Sequence, residues 1–196
     1  MPEWLVLFAT VFGVIFLIEL PDKTALATLI LATKHRPLPV FIGAGAAFVV
    51  QTVVAVAAGS IFSLLPRDAV RIGAGLLFLV LAAVTAVTNR SKEVDEEMEV
   101  VKVEQRFHTP LISAFVVVFV AEWGDLSQLA TAAFQARYRQ PVLVFIAALL
   151  ALWVVAGIAA VAGNRIGALI PERPLQYAAA LVMAVIALLL ISGVLG

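Results

Sequence analysis

FLIELPDKTALAT (16–28) and FVAEWGDLSQLAT (119–131) decide how this chain is read. Each sets a glutamate and an aspartate three residues apart inside an otherwise apolar stretch. The copies lie 103 residues apart: Glu19 matches Glu122, Asp22 matches Asp125, and Leu-Ala-Thr closes both. Carboxylates at membrane depth are expensive and mark function by default. Their recurrence in one register points to a single site built from two halves.

The surrounding composition supplies the membrane. Of 196 residues, 63% are hydrophobic and 13% charged, and the mean hydropathy is +1.10. A soluble domain carries about 25% charged residues, so the chain reads as an integral membrane protein embedded in a lipid bilayer. It has no cysteine, which excludes disulfides, thiolate metal sites and thiol redox chemistry. His35 and His108 fall in connecting segments, which argues against a zinc site. A formal net charge of zero gives no signature for nucleic acid. The N-terminus lacks a basic region and its apolar run is too long for a signal peptide, so it reads as a retained first span.

A helix needs about 20 apolar residues to cross the bilayer. Six stretches qualify: 5–33, 40–65, 69–88, 111–136, 142–170 and 175–195. The polar segment 89–109, with Glu93, Asp95, Glu96, Glu97, Glu99 and Glu104 among its acids, divides them into a first repeat (1–88) and a second (110–196). It reads as a solvated linker. The likeness of the halves extends beyond the motif. Lys34-His35-Arg36 parallels Arg137-Tyr138-Arg139, and Val40-Phe41-Ile42 parallels Val144-Phe145-Ile146.

Three spans is an odd number, so the second repeat enters from the side opposite the first. The expected fold class is therefore all-α integral membrane, six transmembrane helices as two inverted three-helix repeats, with the site near the midplane. Lys34, Arg36, Arg90, Lys92, Lys102, Arg106, Arg165 and Arg173 lie on one side, and Arg67, Arg71, Arg137 and Arg139 on the other. The richer side is expected to be cytoplasmic. The linker then faces inward, both termini face outward, and the protein is a multi-pass protein of the cell (inner) membrane.

Positions i and i+3 share a helix face. Glu19 with Asp22, and Glu122 with Asp125, are thus expected to project together and to bring four carboxylates into one cavity. Such charge has two outlets: it binds a cation or takes up protons. Alternation between them is cation/proton exchange. All-oxygen ligands suit hard ions such as Mg²⁺, Ca²⁺ or Mn²⁺. Thr24 and Ser127 supply matched hydroxyls, Gln128 extends the stripe on the second helix only, and Thr28 and Thr131 follow one turn on. Pro21 and Gly124 hold equivalent places between Glu and Asp, where either loosens the helix and frees carbonyls.

The plainer readings differ in weight. Lys23 is matched by Leu126, which favours charge neutralisation over transport. Thr24, Ser127, Thr28 and Thr131 can bond to backbone instead of an ion. Gln51 and Trp123 read as packing residues, and Gly43, Gly45, Gly73 and Gly75 as points of close helix approach.

The doubled pattern resembles the membrane family marked by two copies of Glu-x-Gly-Asp-[Lys/Arg]-[Ser/Thr]. That family holds eukaryotic Golgi manganese/calcium transporters and bacterial manganese exporters, and was once grouped as uncharacterised protein family 16. The likeness covers nearly the whole chain, with two departures: Pro21 stands for the first glycine and Leu126 for the second basic residue. It implies a secondary transporter moving Mn²⁺ or Ca²⁺ out of the cytoplasm against protons. Glu19, Asp22, Glu122 and Asp125 would be the ligands, supported by Thr24 and Ser127. The ion is a transported substrate; no prosthetic group is implied. An exporter of small organic solutes such as basic amino acids is the alternative, and an enzyme finds no nucleophile–base pair or cofactor fingerprint. A homo-oligomer stays open.

Overall fold

The structure is a computed structural model that describes residues 2–20, 35–87, 109–166 and 172–193. Within these residues the chain is all-helical, with α1 Glu3–Glu19, α2 Pro37–Phe62, α3 Arg67–Val87, α4 Pro110–Ala121, α5 Leu126–Tyr138, α6 Pro141–Ile166 and α7 Glu172–Ile191. Prolines open α2, α4 and α6. A first-turn proline loses no hydrogen bond there and its φ already suits the helix. Arg139 ends α5 in the left-handed region (φ 55°), its amide returning to the Gln135 carbonyl.

α2, α3 and α6 are each long and apolar enough to cross a membrane. α4 and α5 make a fourth span only together, bent by 68°. This corrects the expected continuous helix over 111–136. α1 stops at Glu19, and its expected continuation, with Asp22, Lys23, Thr24 and Thr28, lies outside the described residues, as does most of the acidic linker. Apolar side chains such as Val53, Ile61, Val80, Val154 and Val161 point outward, as lipid-facing surfaces require.

The helices meet in a reciprocal pattern. α2 packs on α4 as α1 packs on α6; α3 meets α5 as α7 meets α1; α2 pairs with α6, and α3 with α7. In lipid, apolar burial does not separate helix–helix from helix–lipid contact, so close approach of small residues must hold the bundle. α2 and α6 follow that rule, with Ala44, Ala47, Ala148 and Ala151 fully buried. The Trp153 indole N–H donates to the Gly45 carbonyl at 3.2 Å.

Among the suggested contact glycines, a Cβ at Gly43 would fall on the Leu111 carbonyl at the start of α4, and one at Gly75 would meet Ile191 of α7 at 2.6 Å. Gly73 does not fit the expectation: nothing lies within 4 Å of its Cβ position. Gly59 is a further contact position, its added Cβ meeting the Ala132 carbonyl and Gln135 of α5. Gly43→Val should therefore destabilise the protein by about 1–3 kcal/mol of overpacking, seen as a lower thermal unfolding midpoint in detergent. Gly73→Ala should not lower it, and a comparable loss in both variants would contradict the packing described.

Candidate metal centre

Glu122 forms the C-cap of α4, with φ −91° and ψ 6°. The chain then turns through Trp123 and Gly124, and Asp125 becomes the N-cap of α5. Gly124 has φ +78°, a left-handed conformation that costs an L-residue roughly 1–2 kcal/mol. The expected sharing of a helix face by Glu122 and Asp125 is thus replaced by two helix ends at one corner. The Gly124 reading as a point where the helix loosens agrees with the break.

A backbone that stops being helical inside a membrane must find new partners, and the corner finds them in side chains. One Asp125 oxygen accepts from the Gln128 amide at 2.9 Å; the other accepts from the Ser127 amide at 3.0 Å and its hydroxyl at 2.6 Å. This is a complete N-cap. It also places negative charge at the positive end of α5. The Gly124 amide donates to Gln128 Oε1 at 2.8 Å.

From α2, Gln51 Nε2 donates to the Phe119 carbonyl at 3.1 Å, and Gln128 Nε2 returns to the Gln51 carbonyl at 3.4 Å. Gln51 therefore does more than pack: it satisfies carbonyls at the end of α4 and ties α2 to the corner. Its only signal in the sequence is an amide alone in an apolar helix. Trp123 is 59% exposed and tilts against Phe119 with ring centroids 5.1 Å apart.

Glu19, at the last turn of α1, reaches the same corner. One carboxylate oxygen from each of Glu19, Glu122 and Asp125 lies within 4.8 Å of the others. Glu19 is 1% exposed and Glu122 2%, with Asp125 half-buried. Oxygens bound to one Ca²⁺ at about 2.3–2.6 Å lie at most about 5 Å apart, so the trio has the dimensions of a hard-cation site. Two ionised carboxylates about 5 Å apart repel by roughly 3 kcal/mol at an effective dielectric of about 20. Either a cation or protons relieve that strain.

Ser127 and Gln128 sit beside the trio with their polar atoms directed to Asp125, Gly124 and Gln51. Thr131 donates to the Ser127 carbonyl at 2.7 Å. Gly124→Ala and Gln51→Leu should each lower the unfolding midpoint, the second by leaving a buried carbonyl unsatisfied at about 1–3 kcal/mol. Gln51→Glu should not restore the loss, because a carboxylate cannot donate as the amide does. Thermal denaturation in detergent checks the order.

Residues 7–93 and 110–195 match the family described as divalent cation/proton antiporter GDT1. The chain is 28% identical over 183 residues to GDT1-like protein 3 of Arabidopsis thaliana, covering 83% of this chain and 62% of that protein. It is 28% identical over 204 residues to the chloroplastic protein PAM71 of the same plant, covering 92% and 55%. A GDT1-like protein of Synechocystis sp. is 29% identical over 132 residues, covering 60% and 64%. The chain thus spans about six tenths of the length of these relatives. No solved structure matches it. The two matched stretches carry one buried glutamate of the trio each, and the chain belongs to the family of GDT1 divalent cation/proton antiporters.

Proposed function

We propose that this protein is a secondary transporter that exports Mn²⁺ or Ca²⁺ from the cytoplasm in exchange for protons. The observation that carries the reading is the meeting of Glu19 with Glu122 and Asp125, carboxylates from corresponding segments of the two halves, within 4.8 Å. On this reading Asp22 completes a ring of four carboxylates. Thr24, Ser127 and Gln128 support them, Ser127 by holding Asp125 and Gln128 by holding the corner. A hard divalent ion is the occupant that an all-oxygen cluster prefers. Protons are the occupants that let the empty site cross the bilayer without a net burden of negative charge.

Six spans arranged as inverted repeats, 1–88 and 110–196 around a cytoplasmic linker at 89–109, form the frame of the proposal. The reciprocal pairing of α2–α4 with α1–α6, and of α3–α5 with α7–α1, supports it. So does the common end of the bundle reached by Arg67, Arg137 and Arg139, which line one cavity. These belong to the poorer of the two charge groups and would face outward in the cell membrane.

Purified protein in liposomes should take up Mn²⁺ or Ca²⁺ when a pH gradient is imposed, and should release protons as it does so. Glu122→Gln and Glu19→Gln should each remove the flux and the stabilisation by Mn²⁺. Flux that persists at wild-type rate in both variants would exclude the carboxylate site. Stabilisation by lysine or arginine and none by Mn²⁺ would favour an organic-cation exporter instead.

A further inference from the structure

A row of polar residues leads away from the carboxylates along the seam between α2 and α5. Ser127, Thr131 and Gln135 follow one another at four-residue spacing on α5 and are all buried. Ser60 of α2 joins the row at its far end, accepting from Gln135 Nε2 at 3.0 Å. Its own hydroxyl donates to the Val56 carbonyl at 2.7 Å.

Ser60 and Thr131 satisfy themselves against their own helices, as hydroxyls in membrane helices commonly do. Gln135 does not. Its Oε1 is buried and accepts no hydrogen bond among the described residues, in a side chain only 2% exposed. The bond from Nε2 to Ser60, whose hydroxyl already donates elsewhere, fixes which end of the amide is left over.

The row has a start, a length and a mouth. It starts at Asp125. The 13 residues of α5 cover about 20 Å at 1.5 Å per residue, enough to pass from mid-membrane to the interface of a hydrocarbon core about 30 Å thick. Beyond Gln135 lies a cavity of about 300 Å³ lined by Arg67, Val70, Ala136, Arg137, Tyr138 and Arg139. Within the row, at the level of Gln135, the helices touch at Gly59, where a side chain would strike the Ala132 carbonyl and Gln135.

We propose that the α2–α5 seam is a closed half-route for the transported cation and its coordinating water. Gly59 against Ala132 and Gln135 forms the seal, Gln135 and Ser60 line the passage where it closes, and the arginine-lined cavity forms the vestibule. The inference rests on the transport reading above. When α5 parts from α2, Gln135 Oε1 becomes an oxygen ligand facing the passage, and the Thr131 and Ser60 hydroxyls become wet.

The absence of native cysteine gives a direct test. Gln135→Cys, Ser60→Cys and Leu129→Cys are each reconstituted in liposomes, and a charged, membrane-impermeant thiol reagent is applied on the vestibule side. Leu129, 39% exposed on the outer surface of α5, is the lipid-facing control. Gln135→Cys and Ser60→Cys should label severalfold faster during Mn²⁺/H⁺ exchange than at rest, with Leu129→Cys unreactive throughout. Adding Gly59→Ala should raise labelling of Gln135→Cys at rest by wedging the seam. Flux by the parent protein with labelling at 135 and 60 that ignores turnover overturns the route alone. Absence of flux in the parent overturns the transport reading and the route with it. Should Gln135→Cys fail to fold, Ser60→Cys decides by the same criterion.

Discussion

An interrupted helix inside a hydrocarbon layer is tolerable only if every amide and carbonyl it releases is taken up nearby, and the corner between α4 and α5 meets that demand locally. Asp125 takes two amides and a hydroxyl, Gln128 takes the Gly124 amide, and Gln51 reaches across from α2 to the carbonyl of Phe119. Once these groups are satisfied, the 68° bend can persist. The bend in turn puts a carboxylate at each of two helix ends, where an unbroken helix would have spread them along a side. The position of the candidate ion site therefore follows from how the backbone is satisfied.

The same corner reconciles two demands on Asp125. A carboxylate fully engaged in capping is held still, and a ligand must also offer a lone pair. Asp125 has oxygens enough for both, and it remains half-buried beside two nearly inaccessible glutamates. The division of labour is visible in the burial. Glu19 and Glu122 bring carboxyl groups into the buried interior, while Asp125 is tied to the backbone of α5.

Much of this was legible in the chain because carboxylates stand out against apolar residues. The pairing of Glu19 with Glu122 needed only the 103-residue offset. Other features were hidden for physical reasons. A three-residue spacing suggests one helix face only if the helix continues, and a single glycine does not say whether it loosens a helix or ends it. Gly124 ends it. Gln51 was legible as polar but not as a clamp, since its partner lies 68 residues away and only packing brings them together. Gly73 and Gly59 show the converse: a glycine's use depends on what stands opposite, and one faces open space while the other faces a carbonyl.

Gln51 has no equivalent in the other half; at the offset of 104 that aligns Val40 with Val144, its place is taken by Val155, a buried side chain with nothing to donate. A single hydrogen bond of this kind is worth about 1 kcal/mol, so the tie from α2 weights the bent corner about fivefold over an untied one, and at position 155 no side chain can do the same for α6.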